Sequence, residues 1–86
     1  MTDEEREDVE EKRLVELAKE EGFIAVLWPD DERLGRWVLQ YTHKRKKGWL
    51  ITKRGARRTW AQANAALLYA RDKLGMTEIK VKLNED

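Results

Sequence analysis

The residues with the clearest chemistry in this sequence are the basic ones between positions 33 and 58. This stretch contains ten Lys or Arg and no Asp or Glu. Ammonium and guanidinium groups bind phosphate oxygens, and arginines do so as bidentate donors. The pattern therefore indicates binding to a phosphate-rich polymer. The residues that would carry it are Lys44, Arg45, Lys46 and Lys47, then Lys53, Arg54, Arg57 and Arg58, with Trp49 between the two clusters.

Side chains that would support catalysis are scarce. The sequence has no Ser and no Cys, so the commonest nucleophiles are missing. Its one histidine, His43, stands beside a basic turn and is interpreted as exposed. Asp30, Asp31 and Glu32 lack the alternating spacing of a calcium loop, which favours a solvated turn. We predict a non-enzymatic protein with no metal, no cofactor and no small-molecule substrate.

Length and composition narrow the class of protein. A chain of 86 residues is long enough to bury its own core and too short for two domains, so we predict a single domain over residues 1–86. The longest apolar run, residues 23–28, is too short to span a bilayer, and the charged first residues do not resemble a signal peptide. Without cysteines there is no disulfide framework. We expect a cytoplasmic protein without membrane association.

Charge is distributed unevenly along the chain. Residues 1–21 contain ten acids and four bases, whereas residues 22–86 contain fourteen bases and seven acids. This separation indicates either a partner of one charge or an internal match between the two segments. Exposed ion pairs stabilise by only about 0–1 kcal/mol each, yet many of them could mask the basic residues. The sequence leaves open whether the acidic segment does so.

The acidic segment reads as a helix over residues 3–21. Thr2 and Glu5 have the spacing of a capping box, and Gly22 is the expected C-terminal cap. An apolar face appears only in the last turns of this helix. We therefore expect residues 1–12 to project from the domain or to fray.

The middle of the chain is predicted to form three strands. Residues 23–28 form a continuous apolar run, residues 36–43 alternate between apolar and polar side chains, and residues 49–53 follow a basic turn. Strands that are neighbours in sequence are usually neighbours in space, which predicts an antiparallel meander. We interpret Trp28 and Trp60 as core residues, whereas Trp37 and Trp49 could either join the core or stack on unpaired bases.

The last third of the chain reads as a helix and a strand. Thr59 and Gln62 form a second capping box, which predicts a helix over residues 60–74. Strict alternation predicts a strand over residues 78–83. The apolar stripe of the helix is Trp60, Ala63, Leu67, Ala70 and Leu74, and a weaker strip is Ala61, Ala65, Leu68 and Tyr69. In the strand, Ile79, Val81 and Leu83 are expected to point inward.

These elements predict an α+β fold in two layers. The order is α-β-β-β-α-β, with both helices on one face of an antiparallel sheet. A shift of one residue in register exchanges the two faces of a strand, so the sequence does not decide which set is uncovered. One candidate set is Gln40, Thr42, Thr52, Lys80 and Lys82, and the other is Trp37, Tyr41 and Trp49.

Two families resemble this arrangement. The α-β-β-β-α order, with Arg57 and Arg58 before the last helix, resembles the double-stranded RNA-binding domain, in which paired lysines occupy that place. Trp60, the C-terminal strand and the acidic first helix depart from that pattern. Residues 23–74 are also similar in topology to the arm-type DNA-binding domains of tyrosine recombinases. These resemblances imply a nucleic-acid partner, and no site residue is transferred from either family.

We therefore predict a small nucleic-acid-binding protein, with duplex DNA favoured over RNA. A basic hairpin would bind phosphates, and so would Arg57 and Arg58, because cations before a helix oppose its dipole until an anion binds there. The alternative is a protein-interaction module or small regulator that binds an acidic partner or forms a homodimer. The weaker apolar strip of the second helix and the uncovered sheet face are the reasons for keeping that alternative.

Overall fold

The computed structural model of the chain describes residues 5–83. Its elements do not follow the predicted order, because short strands precede the first helix and another precedes the second. The helices are α1 (Glu11–Leu17) and α2 (Ala63–Lys73). The strands are β1 (Glu5–Arg6), β2 (Val9–Glu10), β3 (Ile24–Pro29), β4 (Trp37–His43), β5 (Lys46–Ile51), β6 (Thr59–Trp60) and β7 (Lys80–Val81).

The sheet is mixed, so the prediction of a purely antiparallel sheet was wrong. β3, β4 and β5 do form an antiparallel meander with β4 in the centre, and β6 pairs antiparallel with β4. However, β1 and β2 pair parallel with β5, and β7 pairs parallel with β3. The two helices explain the parallel pairs. Each helix follows a strand and brings the chain back to the end of the sheet at which that strand began. The next strand then runs in the same direction as the one before the helix.

Residues 5–10 are extended along β5, which contradicts the predicted helix start near Asp3. The Tyr41 hydroxyl donates a hydrogen bond to the Glu7 carbonyl oxygen at 2.6 Å. Burial raises the pKa of Tyr41, so its hydroxyl keeps the proton that this bond needs. Val9 is buried in the core. These tertiary contacts override the helical pattern of the acidic segment.

Neither predicted capping box forms among the described residues. Thr2 lies outside them, and Glu5 belongs to β1. Thr59 belongs to β6, where its hydroxyl oxygen accepts a hydrogen bond from Arg36 Nε at 2.7 Å. Gln62 stands at the N-cap of α2 without a side-chain cap hydrogen bond. The predicted boundaries of both helices were wrong for this reason.

One hydrophobic core joins both helices to the same face of the meander. The five residues predicted as the stripe of the second helix all lie in this core or pack against it, although Trp60 belongs to β6 and not to the helix. Leu83 was expected to point inward and is instead 80% exposed. The buried residues of the core are Val9, Leu14, Leu17, Ala25, Leu27, Leu39, Tyr41, Leu50, Trp60, Ala66, Tyr69, Ala70 and Leu74.

Gly48 allows residues 5–10 to approach β5. A Cβ atom at this position would collide with the Glu7 carbonyl oxygen, which is backbone and cannot rotate away. We expect Gly48→Ala to lower the free energy of unfolding by about 3 kcal/mol or more, measured by urea denaturation. Gly75→Ala is the control, because its Cβ would meet nothing and the positive φ alone should cost about 1 kcal/mol. Equal costs for the two variants would contradict this role of Gly48.

Candidate nucleic-acid interface

The face of the sheet opposite the core defines the candidate site, and we call it the open face. Along β4, Leu39 and Tyr41 point into the core, so the alternate residues Gln40 and Thr42 point to the open face. Strand register and ring contacts place further residues there. The open face includes Ile24, Val26, Trp28, Val38, Gln40, Thr42, Lys47, Trp49, Ile51, Arg57, Lys80 and Lys82, and the parallel register puts Arg6 and Glu10 there as well.

Arg57 is the most constrained cation of the open face. Its guanidinium carbon lies 4.5 Å from the centroid of the Trp49 ring. Its Nη1 contacts Asp31 Oδ1 at 2.9 Å and Asp30 Oδ1 at 3.5 Å. Asp30 is only 6% exposed and also accepts a hydrogen bond from the Glu32 backbone N–H, so the interpretation of these acids as a solvated turn was wrong for Asp30. These contacts hold the guanidinium over the indole.

A second tryptophan of the open face also lies beneath a cation. The Lys82 ammonium is 5.8 Å from the centroid of the Trp28 ring. The Trp28 indole N–H donates to Gln40 Oε1 at 3.2 Å. Trp37, by contrast, pairs with Trp60 and packs against the core. Of the two tryptophans that the sequence left open, Trp49 therefore lies on the open face and Trp37 on the core side.

The hairpin between β4 and β5 has a tighter turn than predicted. Lys44 and Arg45 form the whole loop, with Lys44 at a positive φ of 58°, and Lys46 pairs with His43. Because Lys46 and Lys47 belong to a strand, they point to opposite faces. Lys46 Nζ contacts a Glu7 carboxylate oxygen at 2.9 Å, whereas Lys47 points to the open face.

The extended chain that leads into β6 likewise separates Arg57 from Arg58. Arg58 Nη1 contacts Glu11 Oε2 at 3.3 Å, and its guanidinium carbon lies 5.3 Å from the Trp60 ring centroid. The Tyr69 hydroxyl donates to the same Glu11 oxygen at 2.9 Å, and burial raises the pKa of Tyr69. Arg58 thus joins α1, β6 and α2 on the core side, whereas Arg57 belongs to the open face.

The remaining predicted site residues, Lys53 and Arg54, lie in an exposed loop between β5 and β6. A hydrogen bond from the Thr52 N–H to the Ala56 carbonyl oxygen, 2.7 Å long, closes this loop. The loop is at the opposite end of β5 from the Lys44 turn. Basic residues therefore lie at both ends of β5, and residues 48–52 between them carry no charge.

The acidic segment pairs with some of the predicted cations. Glu7 contacts Lys46, and Glu11 contacts Arg58. Lys47 and Arg57 point instead to the open face. The charge match within the chain is therefore selective, and it follows the alternation of side chains along β5 and along the extended chain before β6.

His43 is buried, contrary to its interpretation as an exposed turn residue. It is 5% exposed, and its Nε2 lies 3.5 Å from Glu20 Oε1. Residues 5–83 bring together no group of three or more His, Asp or Glu side chains that could hold a metal ion. Within the same range, no helix has the length and apolar character needed to cross a membrane.

Several residues of the open face were not predicted as site residues, among them Trp28, Gln40, Thr42, Lys80 and Lys82, and the interpretation of Trp28 as a core residue was wrong. The signal available was the alternation of the strands, which put Gln40 and Lys82 on one candidate face.

Comparison with protein-family models, with curated proteins and with solved structures gave no match. The fold and this surface therefore define the class of protein: a small, strand-rich α+β protein with a mixed sheet and a basic face that neither α1 nor α2 covers.

The internal ion pairs can be tested by removing their acids. In the double variant Glu7→Gln and Glu11→Gln, Lys46 and Arg58 lose their carboxylate partners, while the new amide oxygen at position 11 would still accept the Tyr69 hydrogen bond. We expect later elution from a heparin column than for the wild type. The control, Glu21→Gln with Glu78→Gln, changes the net charge equally at two exposed positions. If both double variants eluted together, net charge alone would explain the effect and local masking would be refuted.

Proposed function

We propose that this protein is a non-enzymatic nucleic-acid-binding protein that binds duplex DNA through the open face and the Lys44–Arg45 turn. The observation that carries the proposal is the arrangement of the open face. Lys47, Arg57 and Lys82 surround two tryptophans on the side of the sheet away from both helices.

The cations of this face suit a polyanion. Arg57 is held in place by Trp49 and Asp31, so less side-chain entropy is lost when it binds a phosphate. A guanidinium has five N–H donors, and its contacts with Asp30 and Asp31 both use Nη1. Its side chain is 22% exposed, and we propose that Nε and Nη2 donate to phosphate oxygens.

The shape of the open face favours a duplex over a single strand. Stacking of unpaired bases needs an uncovered aromatic ring, yet Trp28 and Trp49 each lie beneath a cation. In the sheet path β1-β5-β4-β3-β7, the central strands β3, β4 and β5 span about 10 Å at about 4.8 Å spacing, so we propose that these three strands face a DNA major groove about 12 Å wide while β1 and β7 lie beside its two backbones. The major groove of duplex RNA is deep and narrow, so DNA is the better fit.

The apolar strip that motivated a protein partner has less support. Of its four residues, Tyr69 is buried and contacts Glu11, and Leu68 is the large apolar side chain that stays exposed. One exposed leucine on a helix is common among soluble proteins. The strip therefore does not favour a protein partner over nucleic acid.

The proposal is tested by fluorescence anisotropy with labelled duplex DNA, single-stranded DNA and duplex RNA at low and near-physiological salt. We expect duplex DNA to bind most tightly, with log affinity falling linearly as log salt concentration rises, because binding releases counterions. Absence of binding to all three at low salt would refute the proposed function. Tightest binding to single strands would refute docking in the groove.

Matched pairs of variants locate the residues that bind phosphate. We expect Lys44→Gln with Lys47→Gln to reduce the magnitude of the salt slope by about 2, because each phosphate that a cation neutralises adds about 0.9 to it. Lys12→Gln with Lys73→Gln removes the same charge from exposed positions on α1 and α2 and should leave the slope unchanged. Equal salt slopes for the two double variants would show that the hairpin does not bind phosphate.

A further inference from the structure

Gln40 occupies the centre of the open face. It lies on the central strand β4, where it is paired with Val26 of β3 on one side and Trp49 of β5 on the other. Together with Glu5, Arg6, Lys47, Gly48 and Trp49 it lines a depression in the sheet. Gln40 is thus an uncharged polar side chain in the middle of a surface otherwise rich in cations and aromatic rings.

Trp28 fixes the orientation of the Gln40 amide. An indole N–H can only donate a hydrogen bond, so the Gln40 atom that receives it must be the carbonyl oxygen. The amide nitrogen then points away from Trp28 and presents its two N–H groups as donors. The contact with Trp28 therefore leaves hydrogen-bond donors at the centre of the open face.

We propose that Gln40 contacts a base edge in the DNA major groove, donating hydrogen bonds to an acceptor of guanine, adenine or thymine and discriminating against cytosine on the contacted strand. In that groove guanine presents N7 and O6, adenine presents N7 and thymine presents O4 as acceptors, whereas cytosine presents the N4 amino group, a donor. A donor facing a donor leaves both groups unpaired. This inference rests on the proposed function and adds the base preference of the same site.

The surrounding cations would act independently of sequence. Lys47, Arg57 and Lys82 carry full charges suited to phosphates, which are identical at every base pair. Gln40 carries no charge and contributes little to the electrostatic term. Base preference and salt dependence should therefore respond to different substitutions.

The test is selection of bound duplexes from a randomised DNA pool, followed by sequencing. Gln40→Glu keeps an oxygen that accepts the Trp28 N–H but replaces the outward donors with an acceptor. We expect the wild type to disfavour cytosine relative to the other three bases at one position by roughly five- to tenfold. With Gln40→Glu, the preference at that position should shift to cytosine, because a carboxylate accepts from N4.

Two further variants separate this effect from charge and from folding. Gln62→Glu makes the same chemical change at an exposed position beside α2, and it should keep the wild-type preference. Gln40→Met removes the donors without adding charge, and it should lose the preference while keeping the salt slope. Circular dichroism would establish that each variant is folded.

Each outcome decides the inference. A wild type that binds duplex DNA without preference at any position would overturn it and leave the proposed function standing. The same preference in wild type and Gln40→Glu would also overturn it. A wild type that binds no nucleic acid would overturn both the inference and the proposed function.

Discussion

The close contact between residues 5–10 and β5 determines the architecture of this protein. The Glu7 carbonyl oxygen lies where a Cβ atom of residue 48 would stand, and it accepts the Tyr41 hydroxyl proton at 2.6 Å. The side chain of Asp8 accepts the Trp49 backbone N–H at 2.9 Å. This docking covers the edge of β5, places Val9 in the core and directs α1 onto the same side of the sheet as α2. Neither helix then covers the opposite face, and that face is the one proposed to bind DNA.

The distribution of charge follows from the same arrangement. Successive side chains alternate between the two faces along β5 and along the extended chain that leads into β6. Lys46 and Arg58 are then directed to Glu7 and Glu11 of the docked segment. Their sequence neighbours Lys47 and Arg57 point to the open face. The ten basic residues are therefore divided between the two faces of the sheet, and Arg57 on the open face is itself paired with Asp30 and Asp31, which composition alone does not reveal.

The sequence predicted the features that depend on local pattern. The strands β3, β4 and β5 either alternate between apolar and polar residues or are rich in β-branched and aromatic residues. The apolar residues of α2 recur with helical spacing. The prediction was wrong where tertiary contacts override a local pattern. Residues 5–10 are rich in helix formers, yet the bond between Tyr41 and Glu7 holds them extended. Thr59 has the spacing of a cap, but its hydroxyl is bound to Arg36 in β6.

The candidate site was predicted only in part for a related reason. The basic residues are visible in the sequence, but which of them share a face depends on register, and a shift of one residue inverts the answer. Burial of Asp30 beneath Arg57, and of His43 beside Glu20, arises from contacts between distant segments. The pairing of Trp28 with Gln40 spans two strands in the same way. None of these contacts leaves a local signal in the sequence.

The central claim is that DNA binds the open face, and the four tryptophans provide a direct measurement. Trp28 and Trp49 lie on the open face, while Trp37 and Trp60 lie on the core side. The indole N–H signals of all four can be followed by two-dimensional NMR as duplex DNA is added at low salt. We predict that the signals of Trp28 and Trp49 shift and that those of Trp37 and Trp60 stay in place. Shifts confined to Trp37 and Trp60, or no shift at saturating DNA, would contradict the proposed interface.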